Sequence, residues 1–199
     1  MSQRALFHGL ATALLLSAAV PALAGNTLIA KDQKVAVAKS LLTVSASREW
    51  NKMGARPGRN SETWTLDGDK LNDLTFYGGI ADGATMFREV DKRNRPLPRF
   101  SASMLITDVP TLLENSYRIA LATPLMKIDT IEPTSFAGRN GVRFTYSFAE
   151  QDQLQRKGEA YAAIVGGRLF MITFEAPVLY YFDAGIEAAR AVTASARLP

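Results

Sequence analysis

Residues 168–175 constrain the fold most tightly, because apolar side chains occupy both faces of what their alternation predicts to be a β-strand. Phe170, Ile172 and Phe174 would lie on one face, and Leu169 and Met171 on the other. A strand that is apolar on both faces is stable only when both faces are covered. The sequence therefore predicts a central strand with a packed layer on each side.

Two neighbouring segments predict further strands beside it. Residues 142–148 alternate apolar and polar side chains, as a strand with one buried face does. Residues 159–165 precede the central strand and are joined to it by Gly166 and Gly167, which suit a two-residue hairpin turn because glycine adopts positive φ without strain. These segments predict an antiparallel sheet in the C-terminal third of the chain.

A second hairpin is predicted in the N-terminal half. Residues 62–66 and 71–77 show strand-like patterns, and Asp67 with Gly68 between them favours a turn. Residues 34–46 also alternate apolar with small or charged side chains, which predicts one or two more strands. The sheet is therefore expected to include both halves of the chain.

Two helices are predicted in addition to the strands. Residues 108–122 have apolar side chains at helical spacing, and Thr111 with Glu114 matches an N-terminal capping box. Residues 178–196 form a second amphipathic pattern, which Pro177 would open. This order of hairpins and helices predicts an α+β fold, in which a mainly antiparallel β-sheet has helices packed on it as an α/β sandwich.

Residues 1–24 have the pattern of a secretory signal peptide. A basic N-terminus precedes an apolar run, and the small residues Ala22 and Ala24 predict cleavage after Ala24. Asn26 stands where a bacterial lipoprotein needs a cysteine, so no lipid anchor is expected. The sequence predicts a single α+β domain over residues 25–199, periplasmic or secreted, that does not span a membrane. A signal kept as an uncleaved anchor is the alternative.

The predicted domain lacks the side chains that most often perform acid–base, nucleophilic and transition-metal chemistry. The chain has no cysteine, and its one histidine, His8, lies in the predicted signal peptide. Ser-His-Asp sites, Cys-His sites and histidine-bearing zinc sites are therefore excluded from residues 25–199. No glycine-rich nucleotide-binding motif is present either. We expect no cofactor, no bound metal and no enzymatic activity.

Carboxylate chemistry is the catalytic alternative that these absences leave open. Asp67, Asp69 and Asp73 cluster in the sequence, and Asp82 and Glu89 follow them. Two carboxyl groups about 5–10 Å apart are enough for glycoside cleavage. A hydrolase acting on envelope glycans is thus one alternative, and solvated aspartates of a hairpin turn are the simpler interpretation.

Basic residues concentrate in two segments that are predicted to be loops. Residues 48–59 contain four and residues 88–99 contain five. Clustered arginines bind carboxylates, phosphates or an acidic protein surface through forked hydrogen bonds, and two solvated loops are the alternative. A net charge of +4 at pH 7 is too weak to indicate a nucleic acid partner. The predicted partner-binding surface combines the second loop with aromatic residues of the last helix and comprises Arg88, Lys92, Arg93, Arg95, Arg99, Tyr180 and Tyr181.

The order of elements resembles the PsbP-like family, which is named for an extrinsic subunit of photosystem II. The resemblance rests on a strand from Val44 into Trp50, a strand that begins Gly141-Val142-Arg143-Phe144, and a Gly-Gly hairpin leading through Phe170-Met171-Ile172 to a terminal helix near Ser195. The chain is also similar to exported bacterial proteins. The resemblance implies a small domain that docks on a larger complex without catalysis, and it transfers no site residue to this chain.

The predicted function is that of an exported, soluble, non-enzymatic accessory protein. Its expected partner is an unidentified protein or complex of the bacterial cell envelope. One alternative is a periplasmic protein that binds a small anionic or apolar ligand in a pocket between the sheet and a helix. The other alternative is the glycan hydrolase, which requires two acidic side chains that converge in one cleft.

Overall fold

The computed structural model describes residues 25–150 and 152–199. The predicted signal peptide, with its histidine, lies outside the described residues. The strands are β1 (Thr27–Ile29), β2 (Lys34–Ala36), β3 (Thr43–Ser45), β4 (Trp50–Lys52), β5 (Ser61–Thr65), β6 (Asp73–Ile80), β7 (Lys127–Phe136), β8 (Arg139–Ala149), β9 (Gln155–Val165) and β10 (Arg168–Pro177). The α-helices are α1 (Val109–Ala120) and α2 (Tyr181–Ala194).

Eight of these strands form one antiparallel sheet in the order β1-β4-β5-β6-β10-β9-β8-β7. Strands β2 and β3 form a separate hairpin. Strand β10 lies inside the sheet between β6 and β9, as its two apolar faces predict. Both hairpins predicted from the sequence, β5–β6 and β9–β10, are confirmed.

A hydrophobic core lies on each face of the sheet. On one face, helix α2 and the β2–β3 hairpin pack on Trp64, Phe76 and Phe174. On the other face, helix α1 and residues 81–106 pack on side chains such as Tyr146 and Met171. The structure is thus dominated by its sheet, with one helix on each face, and the predicted mainly antiparallel α+β architecture is confirmed at that level.

The helix boundaries differ from those predicted. Helix α1 begins at Val109, after Asp108, so the predicted capping box at Thr111 is wrong because Thr111 lies inside the first turn. Helix α2 begins at Tyr181. Pro177 does not open that helix but ends strand β10, where a proline at the last position removes no needed backbone donor.

The N-terminal strands also differ from those predicted. Strand β1 lies in a segment for which no strand was predicted, and the strand expected from Val44 into Trp50 is interrupted, because β3 ends at Ser45 and β4 begins at Trp50.

Two further strand features were not predicted. Strand β7 is mostly exposed at the edge of the sheet and contains Pro133, so it has no alternating pattern to reveal it. Strand β6 continues through Gly78 and Gly79, which the sequence assigns to an irregular segment. A Cβ atom on Gly78 would lie 2.5 Å from the Ser40 hydroxyl, so glycine is needed there for close packing, not for a turn.

Candidate functional site

A row of four residues crosses the sheet on the face that packs against α1. Cross-strand pairing places Tyr146 of β8 opposite Gly158 of β9, Gly158 opposite Glu175 of β10, and Glu175 opposite Asp73 of β6. Directly opposed residues have Cβ atoms about 4.5–5.5 Å apart. The sheet register therefore places two carboxyl groups side by side, and we call Asp73 and Glu175 the carboxyl pair.

Gly158 gives the Tyr146 ring the space to reach across β9. A Cβ atom on Gly158 would lie 2.0 Å from Cζ of that ring, which no relaxed contact allows. The Tyr146 hydroxyl donates to Oε2 of Glu175 at 2.9 Å. From helix α1, the hydroxyl of Tyr117 donates to the same oxygen at 2.6 Å. The position of Glu175 is therefore fixed by the sheet and by the helix above it.

Burial raises the pKa of both carboxyl groups. The pKa of Asp73 rises to about 7, first because of burial and then because of the nearby Glu175 charge. Burial also raises the pKa of Glu175 to about 7, although the hydrogen bonds from Tyr117 and Tyr146 act in the opposite direction. One oxygen of Asp73, Oδ1, is buried without a hydrogen-bond partner in the described structure. The pair is thus incompletely neutralised by the groups around it.

The carboxyl pair lines a cleft of about 690 Å³ between the sheet and α1. Polar side chains beside the pair include Thr63, Thr75 and Tyr77. The remaining walls are largely apolar and include Met53, Pro57, Phe87, Leu97, Ile119 and Leu121. Clefts of about 300–1,000 Å³ with apolar walls and a few convergent polar groups are typical of small-molecule sites. We call this space the acid cleft.

Basic residues from the predicted loops stand around the mouth of the acid cleft. Arg56, Arg88 and Arg95 contribute to its lining. The Arg95 guanidinium donates to the carbonyl of Ile119 near the end of α1, which joins the 88–99 loop to that helix. The cleft consequently combines an acidic interior with cationic groups at its entrance.

The opposite face of the sheet has a buried acid in different surroundings. Glu159 accepts hydrogen bonds from Arg143 at 2.6 Å, from Arg190 of α2 at 2.8 and 2.9 Å, and from Tyr161 at 3.0 Å. Burial opposes ionisation, but these donors outweigh it and lower the pKa of Glu159 to about 2. The Glu159 cluster is an ion network that attaches α2 to the sheet.

The predicted partner-binding residues fall on two separate surfaces. Arg88, Lys92, Arg93, Arg95 and Arg99 lie in the segment that covers the α1 face. Tyr180 and Tyr181 lie at the start of α2, and Tyr181 packs against the core of the other face. Arg88 lines one concave surface with Arg95 and a second one with Arg99, whereas Lys92 and Arg93 line neither, and the two tyrosines are not beside them.

Tyr180 occupies a strained and exposed turn. Its φ is +73° and its exposed fraction is 71%. The Tyr181 amide donates to the Leu179 carbonyl across it at 3.0 Å, which describes a γ-turn. Tyr180 is thus accessible at the surface, and its partner-binding role stays a prediction.

Of the acidic residues singled out in the sequence, only Asp73 joins the carboxyl pair. Asp69 lines the cleft mouth, while Asp67 accepts from Asn72 in the turn. Asp82 accepts from the Ala102 amide, and Glu89 pairs with Arg99. In residues 25–150 and 152–199, no group of three or more His, Cys, Asp or Glu side chains could hold a metal ion.

Sequence reasoning missed Glu175, which proves central to the cleft. The available signal was a single acid in the otherwise apolar strand segment from Leu169 to Ala176. An ionisable residue in a strand covered on both faces needs partners, and so marks either an ion cluster or a site.

The described helices include none that is long and apolar enough to cross a bilayer.

Comparison with known proteins identifies the fold. No protein-family model matches the chain, and no curated protein matches its sequence. The solution structure of cyanobacterial PsbP (CyanoP) from Synechocystis sp. PCC 6803 is similar, with a TM-score of 0.50 and 16% identity, and the match covers 93% of this chain and 99% of that one. LpqN, involved in cell envelope biogenesis of Mycobacterium tuberculosis, matches with a TM-score of 0.39 and 9% identity over 88% of this chain and 85% of that one. The likeness to CyanoP confirms the PsbP-like fold expected from the sequence, and at 16% identity it concerns the fold alone.

Proposed function

We propose that this chain is an exported, non-enzymatic binding protein of the cell envelope whose acid cleft takes a small organic ligand. The observation that carries the proposal is the carboxyl pair of Asp73 and Glu175 lining a cleft of about 690 Å³ with apolar walls. The export component is supported by the secretory pattern of residues 1–24. The expected ligand has an apolar body and a polar end that donates hydrogen bonds to the pair.

The described interior favours a preformed site. Asp73, Thr75 and Tyr77 lie on a central strand of the sheet, and Tyr117 lies on a helix packed over it. Groups on packed elements keep their positions when a ligand enters, which lowers the entropic cost of binding. A ligand donor near the buried, unpartnered Oδ1 of Asp73 would also satisfy an atom that costs free energy when left alone.

A fluorescent apolar probe, N-phenyl-1-naphthylamine, tests the proposal by titration of the purified protein. Ala120→Trp places a bulky ring at an exposed position that lines the cleft. Ala184→Trp makes the same change at an exposed alanine of α2, on the other face of the sheet. We expect binding to the wild-type chain and to the Ala184→Trp variant, with at least tenfold weaker binding by Ala120→Trp. Equal binding by both variants, or no binding by the wild type, would contradict the proposal.

Glycoside hydrolysis is the second candidate, because the carboxyl pair meets the requirement of two acids in one cleft. The two residues are directly opposed on neighbouring strands, which places the two carboxyl groups on one face of the cleft. Both tyrosine hydroxyls donate to Oε2 of Glu175, so the oxygen that these contacts leave for proton exchange is Oε1. Turnover of aryl glycosides that disappears in Asp73→Asn, while probe binding persists, would favour catalysis over simple binding.

A further inference from the structure

A second concave surface lies at the opposite end of the strands from the carboxyl pair. It encloses about 740 Å³ between residues 56–60, residues 79–89 and the start of β10. Neither Asp73 nor Glu175 lines it. Its cationic lining residues are Lys39, Arg56, Arg59, Arg88, Arg99 and Arg168, and its acidic lining residue is Glu89. We call this surface the basic groove.

The two arginine-rich loops meet to form the basic groove. The Arg88 amide donates to the Pro57 carbonyl at 2.8 Å, which joins one loop to the other. At Gly58 the backbones approach so closely that a Cβ atom would lie 2.1 Å from the Met86 carbonyl oxygen. The sequence shows two separate basic segments, and the structure joins them into one continuous surface. Its cationic groups are therefore held together before any ligand arrives.

The charges of the groove are poorly neutralised by the protein itself. Arg99 pairs with Glu89 at 2.9 Å, and Arg56 lies 4.0 Å from Glu62, a carboxylate also approached by Lys52 at 3.3 Å. The other cations of the groove form no ion pair with any described residue: Lys39, Arg59, Arg88 and Arg168.

An orphaned donor points to an anionic occupant. Nη1 of Arg56 is buried and has no hydrogen-bond acceptor among the described residues. Buried N–H groups without an acceptor are uncommon in folded proteins and are costly to leave unsatisfied. Arg56 lies between the two concave surfaces and lines both, and an anion bound in the groove beside it would supply the missing acceptor.

We propose that the basic groove binds a small molecule with two or more closely spaced phosphate groups. Arginine side chains form forked, charge-assisted hydrogen bonds to phosphate oxygens. A ligand with one negative charge would neutralise only a fraction of the four cations that have no ion pair, whereas clustered phosphates supply several negative charges at once. The concave shape and volume suit a small molecule better than the flat surface of a large partner. Soluble phosphate esters and lipid headgroups both provide this chemistry.

Tripolyphosphate is the probe, and calorimetric titration of the purified protein at low and at physiological salt is the measurement. Inorganic phosphate is the weak comparison ligand. We expect tripolyphosphate to bind at least tenfold more tightly than inorganic phosphate, because several phosphates contact the groove at once. Absence of tripolyphosphate binding at low salt, or equal affinity for the two ligands, would overturn the proposal.

A matched pair of double variants separates the groove from net charge. Lys39→Gln with Arg59→Gln removes two exposed groove cations, and Lys92→Gln with Arg93→Gln removes the same two side-chain types from exposed positions outside it. We expect the first variant to weaken tripolyphosphate binding at least tenfold and the second less than twofold, with both melting temperatures unchanged. Equal losses in the two variants would overturn the groove assignment.

Vesicles distinguish the two sources of phosphate. If the natural ligand is a lipid headgroup, vesicles that contain cardiolipin, whose headgroup carries two phosphates, will compete with tripolyphosphate, and phosphatidylcholine vesicles will not. If it is a soluble ester, tripolyphosphate binding will be unaffected by either vesicle. Both outcomes support the phosphate chemistry when the double variants behave as expected, because the variant comparison alone decides the site.

Discussion

Glu159, which is buried, and Glu175, which is partly buried, lie on neighbouring strands but on opposite faces of the sheet and in opposite electrostatic states. Glu159 pairs in register with Phe174, one residue before Glu175, so the alternation of strands β9 and β10 sends the two acids to different faces. Two arginines and a tyrosine surround Glu159, and its pKa falls to about 2. Glu175 has two tyrosines and a second acid, and burial raises its pKa to about 7.

The difference teaches how to distinguish a structural acid from a candidate site. Burial disfavours the charged form of both residues, so the partners decide the outcome. Arginines compensate the burial of Glu159 and make it part of the attachment of α2. No cation pairs with Glu175 or Asp73 within the described part of the chain, which leaves the carboxyl pair available to a ligand.

The largest expected effect comes from breaking the Glu159 cluster. Glu159→Gln leaves Arg143 and Arg190 without their shared carboxylate, and removing one partner of a buried ion pair costs about 3 kcal/mol. Urea unfolding at pH 7 measures this loss in the free energy of unfolding. The matched control is Glu187→Gln, since Glu187 is an exposed partner of Arg190 at 2.7 Å and should change stability by less than about 0.5 kcal/mol. Similar effects of the two substitutions would contradict the structural role assigned to Glu159.

A smaller effect is expected from the row that positions Glu175. Gly158→Ala introduces a Cβ atom 2.0 Å from the Tyr146 ring and should lower the free energy of unfolding by about 2 kcal/mol. A double-mutant cycle provides the control, because the same substitution in a Tyr146→Ala background no longer meets the ring. If Gly158→Ala lowers the free energy of unfolding equally in the Tyr146→Ala background, then the Tyr146 ring is not the reason that glycine is needed at position 158.

The smallest expected effect is a pH-dependent gain from neutralising the carboxyl pair. Raised pKa values mean that the folded protein binds more protons than the unfolded chain between about pH 4 and 7, so this part of the stability is complete below about pH 4 and is lost as the pH rises through 7. Asp73→Asn cannot ionise and should stabilise the protein by about 1 kcal/mol at pH 8, and by much less at pH 5. Urea unfolding at the two pH values measures the gain, with Asp183→Asn, at an exposed position of α2, as control. A loss of stability at pH 8 would contradict the assignment.

The sequence predicted the elements near β10 well because their patterns are local. The Gly166–Gly167 turn and the alternation of residues 142–148 each fit within a few positions of the chain. The row through Tyr146, Gly158 and Glu175, by contrast, depends on the register between three consecutive strands, and its fourth member, Asp73, comes from the other half of the chain. The periodicity of a sequence predicts on which face of a strand each side chain lies, but it does not predict which residues of the neighbouring strands pair with it.

The same limit explains why the basic groove could not be predicted from the sequence. The clusters of arginine were visible as composition, but their convergence depends on the contact between Gly58 and the Met86 carbonyl, which no pattern in either loop predicts. The edge strand β7 was missed for a different reason, because an exposed strand has little apolar alternation. The fold class was therefore predictable, while the candidate site required the register.

The most direct comparison of Glu159 with the carboxyl pair is an NMR titration. It follows the side-chain carboxyl carbons in protein labelled with ¹³C at aspartate and glutamate. The Asp73→Asn and Glu175→Gln variants assign the resonances of the carboxyl pair. We expect both groups to titrate with pKa values of about 7, well above the usual carboxyl range, and Glu159 to titrate with a pKa of about 2. Titration of Asp73 and Glu175 near the ordinary value of about 4 would contradict the claim that the acid cleft contains an un-neutralised carboxyl pair.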